Sequence, residues 1–394
     1  MLDIFLEDFP VTFRERVAAI MAYEPYDAMP VVHFGYWTDT LEKWVSEGHL
    51  TRDDITGWGD GNAVDRNLCE KIGWDFDWAA HFTPNGFLSP CFEWKVLETL
   101  PDGSRKVMNH EGVILLDKPG VPSIPPEIDH TLKTRRDWEE HYIHRLQWDE
   151  SRVLNAHVQV DAQSVPFSVG GLEYLKRDDR EYPYGIFCGS LFGSIRNVLG
   201  VTGASYIYAE DPDLFKEIID TVGELAYRCT AFTLEQGAKF DFGHFWEDIC
   251  FKNGPLVIPS VFDELVGPHY KRITDLLRQH GITIVSLDCD GCIDALIPTW
   301  LNNGVNTMFP IEVGTWGASI APWRERYGRD LRGVGGMNKN VFARDFAAVD
   351  AEIERLKALV ALGGYIPCPD HRLAPDAEWD NVRYYCDRMR AVFG

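Results

Sequence analysis

Asp288 and Asp290 stand two residues apart behind the β-branched run Ile282–Leu287, with Gly291 after them. Residues two apart on a strand face the same side, so both carboxylates point one way. Two carboxylates on one face repel, and they call for a cation, a shared proton or a basic partner. His371, just beyond the apolar run Tyr365–Cys368, is a natural third member. Asp/Asp/His suits Zn²⁺, Mn²⁺ or Fe²⁺. Asp288, Asp290 and His371 are therefore both the candidate catalytic group and the candidate metal ligands. A structural account stands beside this one, with Asp290-Gly291 as a turn and Asp288 as a helix cap.

Other strand ends carry similar chemistry. Trp246-Glu247-Asp248 closes an apolar stretch, and Glu247 is a candidate general acid or base, with helix capping as the alternative. Glu312, in Pro310-Ile-Glu312, is comparable. Cys289 and Cys292 form a CxxC, but alternation turns Cys289 away from the Asp288/Asp290 face, toward packing. His33, Tyr36, Trp37, Trp246, Glu312 and Asn338 are the candidate substrate-lining residues.

The elements that must hold these residues follow a strand–helix rhythm. Strands are expected at 29–37, 184–189, 240–248, 282–290, 307–312, 331–337 and 365–368, from β-branched and apolar runs. Helices are expected at 13–21, from 194, and at 211–236, 259–279, 294–302, 345–362 and 378–392, from 3.6-residue periodicity and caps such as Asp211-Pro212. Alternation of this kind implies parallel strands with right-handed crossovers. The expected fold is a single α/β domain over residues 1–394, a (β/α)₈ TIM-type barrel with its chemistry at the C-terminal strand ends. Residues 93–118 read instead as a β-meander punctuated by Pro101-Asp-Gly103, closed by the proline-rich 119–126. They form an expected insertion over 93–126. No GxGxxG and no P-loop pattern is present.

The 394 residues carry a formal net charge of −23, which argues against nucleic acid as a partner. No apolar run approaches the roughly 20 residues that span a bilayer. Nine scattered cysteines and an acidic N-terminus point to a reducing compartment, the cytoplasm, without a signal peptide.

Taken together, Trp246-Glu-Asp248, Asn253-Gly-Pro255, Asp288-Cys-Asp-Gly291, Phe309-Pro-Ile-Glu312, Gly335-Gly-Met337 and Gly364-Tyr-Ile-Pro-Cys-Pro-Asp-His371 resemble the uroporphyrinogen decarboxylase-like superfamily. That superfamily includes methyltransferases that demethylate substrates onto a corrinoid protein. The resemblance implies a TIM-type barrel with its pocket at the strand ends. True uroporphyrinogen decarboxylases hold their substrate's carboxylates with an arginine-rich N-terminal loop. Here that position reads His33-Phe-Gly-Tyr-Trp37, without arginine, so the octa-acid substrate is not expected. The zinc methyltransferases use His-x-Cys and a late Cys, where this chain has Asp288-x-Asp290 and His371. The resemblance thus implies methyl transfer from a small donor, such as a methoxylated aromatic, to a corrinoid protein. Zn²⁺ or another divalent metal, or a protonated carboxyl group, would activate the departing oxygen. A decarboxylase of a less charged substrate and a non-catalytic binding protein remain alternatives, and a homodimer is left open.

Overall fold

Nine short parallel strands carry the architecture in a computed structural model that describes residues 11–119, 125–160 and 163–394. We label them β1 (Val32–His33), β2 (Phe76–Asp77), β3 (His81–Phe82), β4 (Gly185–Phe187), β5 (Phe242–Trp246), β6 (Val285–Asp288), β7 (Thr307–Phe309), β8 (Arg332–Met337) and β9 (Tyr365–Pro369). Seven of them, β3 to β9, form one sheet whose spatial order is their order in the chain. Parallel crossovers are right-handed as a rule, so a sequentially ordered sheet carries its helices on one face and curls. β8 and β9 consist almost wholly of buried residues, as expected for strands covered on both sides.

The hydrogen-bond ladders stop short of the closed eight-stranded cylinder read from the sequence. β1 pairs only with β2, Val32 opposite Phe76 and His33 opposite Asp77. A single parallel bridge, Tyr36 with Leu373, ties the segment after β1 to the segment after β9. No β1–β9 or β2–β3 ladder forms among the described residues. These first strands are two residues long, which leaves too little backbone for a ladder on both edges.

Helix positions agree with the periodicity, with two departures, one at a glycine and one at a proline. The helix Gly193–Glu210 is interrupted at Gly200, whose backbone is non-helical. The segment expected as one helix over 259–279 is two, Pro259–Leu265 and Gly267–Gln279, divided where Pro268 removes a donor. Helix Pro212–Glu235 starts as read, with the Asp211 carboxylate accepting from Leu214 N–H at 2.9 Å.

The meander is an antiparallel sheet of Lys95–Thr99, Arg105–Met108 and Val113–Asp117, extended by a fourth strand, Glu127–His130, beyond the expected boundary. Most of the proline-rich stretch, residues 120–124, lies outside the described residues. The stretch 50–92, to which periodicity assigns no element, contains helix Ala63–Ile72 as well as β2 and β3. No described helix is long and apolar enough to cross a membrane.

Backbones meet most tightly at Gly335 on β8. Its φ is +123°, and a Cβ placed there would lie 1.5 Å from the Pro310 carbonyl oxygen. Gly335→Ala is therefore expected to destabilise the fold by about 3 kcal/mol or more. Denaturant melts check this, and an unchanged midpoint would show that the strand ends pack more loosely than described.

Candidate functional site

Strand register builds the mouth of the sheet. Trp246 on β5, Asp288 on β6 and Phe309 on β7 lie abreast. Two residues past Asp288, Asp290 meets His371, two residues past β9, with Oδ2 and Nε2 3.3 Å apart. The indole of Trp37 stacks on the His371 ring at 5.9 Å and 17°, and Phe34 meets the ring edge-on. Segments 81 residues apart in the chain thus share one contact. Asp290 Oδ1 and His371 Nδ1 are buried without a hydrogen-bond partner.

Four carboxyl groups crowd this point. Burial, then the charges of Asp290 and Asp248, push the Asp288 carboxyl well above the usual carboxylate range. Arg372 pulls the other way, but its guanidinium is already engaged by both oxygens of Asp60, at 2.8 and 2.6 Å. Burial and Asp290 also raise Asp248, opposed by Arg196 and His371. Glu312 is raised by the same two causes, against hydrogen bonds from Gly291 N–H at 2.5 Å and the Thr315 hydroxyl at 2.8 Å. Carboxyl groups this close to one another cannot all ionise. Burial and mutual repulsion thus favour the neutral form of Asp288, next to the Asp290–His371 contact.

Beneath the acidic rim lies a packed aromatic layer in which Phe34, His244 and Phe309 are buried. His81 on β3 and His244 on β5 stack at 5.0 Å and 23°. Burial pushes His81 down to about 4. It pushes His244 well below its ordinary value, with His81 adding to the effect. Both imidazoles are therefore neutral near pH 7. Phe187 lies 5.3 Å from His81, Phe309 lies 6.0 Å from His244, and Phe34 packs edge-on against Phe309 at 4.5 Å. Sequence reasoning gives His244 no role and passes over His81, because β3 is too short to show periodicity.

Other candidates sit elsewhere. Glu247 is fully buried, and its carboxylate accepts from the backbone N–H groups of Leu191, Phe192 and Gly193 and from the Tyr270 hydroxyl. It anchors the entry to helix Gly193–Glu210, which is the capping alternative rather than acid–base work. Asn338 caps the turn Lys339–Ala343 by accepting from Asn340 N–H. Trp246 is half-buried at the end of β5. Cys289 is buried, and burial pushes its thiol well above the ordinary range, which makes it inert.

His33 and Tyr36 belong to a sealed cluster behind the mouth. His33 Nε2 lies 3.2 Å from Cys69 Sγ and 3.4 Å from Asp65 Oδ2. Among the described residues this is the one group of three whose ligand atoms, within 4.8 Å of one another, could hold a metal by distance. Asp288, Asp290 and His371 do not gather so closely. Hydrogen bonding works against a metal at His33. Gly35 N–H donates to Nδ1 at 2.9 Å, which needs a lone pair there and leaves the proton on Nε2. Burial opposes a charge on His33, but Cys69, Asp65 and Asp77 outweigh it and push the ring well above its ordinary value. A second proton, on Nδ1, would however face the Gly35 N–H, and that contact decides for the neutral ring. The donor set fits a neutral, hydrogen-bonded imidazole, so no chemistry is routed through a metal.

Two outcomes follow from these placements. Glu247→Ala leaves three buried N–H groups and a hydroxyl unmatched, and is expected to cost at least about 3 kcal/mol in a denaturant melt. A midpoint equal to wild type would contradict the anchoring role. Asp77, opposite His33, has its carboxyl pushed up to about 8 by burial. An acid raised in the fold contributes stability that is complete below its unfolded value of about 4 and is lost as pH rises through the folded value. Melting temperature should therefore fall between pH 5 and pH 8, and Asp77→Asn should flatten that fall; parallel curves for the two proteins would refute it.

No family model and no curated protein matches the sequence. Among solved structures the chain is similar to a methyltransferase from Methanosarcina mazei, at 14% identity and a TM-score of 0.58, over 96% of this chain and 98% of that one. A protein described as a vitamin-B12-independent methionine synthase, from Listeria monocytogenes, is 15% identical over 57% of this chain and 69% of its own. Its TM-score of 0.34 is too low to carry an argument. At such identities a likeness speaks for the fold. From end to end, this chain shares the fold of the Methanosarcina mazei methyltransferase.

Proposed function

We propose that the chain is a methyltransferase that moves a methyl group from a small donor, a methoxylated aromatic, to a corrinoid protein. The observation that carries the reading is a rim carboxyl, Asp288, raised by burial and crowded by Asp290 and Asp248, above a layer of stacked aromatic rings. A planar donor suits the floor of Phe187, His81, His244 and Phe309 by edge and face contacts. Its ether oxygen would meet Asp288.

Methyl transfer breaks the methyl–oxygen bond and leaves the bonding electron pair on oxygen. Asp288 gives its proton to that oxygen, so a neutral phenol departs rather than a phenolate. The charge of Arg372, itself paired with Asp60, favours the resulting Asp288 carboxylate through space. The Asp290–His371 pair fixes the rim through the Trp37 stack. The corrinoid, carried on its own protein, supplies the nucleophile that accepts the methyl group. Asp290 and His371 keep 32% and 24% of their side-chain surface open, so a second protein can reach the rim.

A decarboxylase acting on a carboxylate-rich substrate would want free cations at the mouth. Arg372 is spent on Asp60, and Lys339 donates to the Arg372 carbonyl at 2.9 Å. That reading has less support.

Methyl transfer from methoxybenzoates to free cob(I)alamin is the direct assay. Asp288→Asn should lower kcat roughly 10²–10⁴-fold, the usual contribution of a positioned acid. The wild-type rate should fall as pH rises through the raised Asp288 value, because the acid form is the active one. The variant should lose that alkaline limb. An Asn variant of undiminished rate would remove Asp288 from the mechanism.

A further inference from the structure

Outside the strand mouth, between helix Gly193–Glu210 and the loop leading into helix Pro259–Leu265, lies a separate cavity of ≈ 130 Å³. Phe192, Ala204, Tyr208, Phe215, Leu256 and Val261 contribute its apolar walls. The aromatic walls are ordered among themselves. Phe192 meets Phe215 edge-on at 6.0 Å, and Tyr208 meets Phe215 edge-on at 5.4 Å.

One cation lines this otherwise apolar space, Arg196. Its Nη2 donates to the Asp248 carbonyl at 2.9 Å and lies 3.6 Å from the Asp248 carboxylate. Its Nε–H is buried and has no acceptor. A buried, unmatched donor on a guanidinium calls for an oxygen from elsewhere. A carboxylate is the acceptor that a guanidinium binds best, because the two planar groups match.

Size and charge narrow the occupant. An apolar cavity of about 150 Å³ holds a benzene ring, so this one takes a single ring and not two. A lone arginine in a chain of net charge −23 balances one negative charge and would repel a polyanion. We propose that this cavity is a binding site for a small monocyclic aromatic acid, its ring between the phenylalanines and its carboxylate on Arg196. The site is independent of methyl transfer at the mouth. It touches the rim only through Arg196, which an occupant would share with Asp248.

Calorimetric titration with benzoate tests this, using benzamide and 2-naphthoate as comparison probes. Three variants accompany the wild type: Arg196→Gln, Ser205→Trp and Asp288→Asn. Ser205 lines the cavity from an exposed helical position, so a larger side chain there fills the space without disturbing the core. Benzoate should bind wild type and Asp288→Asn equally. Its affinity should fall at least 10-fold in Arg196→Gln and in Ser205→Trp. Benzamide and 2-naphthoate should each bind wild type at least 10-fold more weakly than benzoate. Absence of benzoate binding at millimolar concentration overturns the proposal. Binding that survives Ser205→Trp but is lost in Asp288→Asn also overturns it, because it places the acid in the mouth. Should Arg196→Gln fail to fold by circular dichroism, Ser205→Trp alone decides. Failure here leaves the methyl-transfer assay untouched, and failure there leaves this titration untouched.

Discussion

The mouth of this sheet is governed by one electrostatic constraint: Asp248, Asp288, Asp290 and Glu312 influence one another where His371 pairs with Asp290 and Arg196 with Asp248. Of the nearby cations, Arg372 is paired with Asp60, and Lys339 donates to a backbone carbonyl while its charge still acts on Asp370, Asp290 and Glu312. Repulsion and desolvation then act together, and at least one carboxyl must keep its proton. Asp288 is the group pushed up furthest, by burial and by the charges of Asp290 and Asp248. What would be a liability for stability is the kind of perturbation that marks candidate acids.

Holding that crowd together falls to groups that do no chemistry. Glu247 collects three backbone N–H groups and the Tyr270 hydroxyl, tying the end of β5 to the start of helix Gly193–Glu210. The next residue, Asp248, is carried into the rim with a φ of 49°, and Arg196 on the anchored helix reaches back to it. Asp370 plays the same part on the opposite side, accepting from Gly314 N–H at 2.7 Å and Lys339 N–H at 3.0 Å beside His371. Fully satisfied buried carboxylates of this kind rigidify their surroundings, because moving any partner leaves a charge uncompensated. The crowded rim carboxyls are under-satisfied, and their supports are saturated.

The same contrast separates the two polar clusters at this end of the molecule. His33, Asp65, Cys69 and Asp77 are sealed from solvent, and the Gly35 N–H dictates the tautomer of His33. Asp290 and His371 have comparable residue types but remain partly open and keep buried atoms without partners. Residue type alone does not distinguish a sealed, saturated network from an open, unsaturated one. Exposure and hydrogen-bond saturation do.

Much of the scaffold was legible in the chain. Strand–helix alternation, the Asp211-Pro212 helix start and the hairpin punctuation of the meander are local signals, set by backbone sterics and capping within a few residues. The pairing of Asp290 with His371 was also anticipated, because both follow apolar runs that end at the same face of a parallel sheet. Tertiary structure alone decided the rest. The sequence places Glu247 and Asp288 alike at strand ends, yet one is saturated and the other crowded, since hydrogen-bond partners come from segments over fifty residues away. His81 became part of the floor because β3 lies next to β4 and beneath the rim, and a two-residue strand has no period to read. Protonation states, too, were beyond the chain's reach: they follow from burial and the distances between charges, quantities that exist only once the backbone has folded.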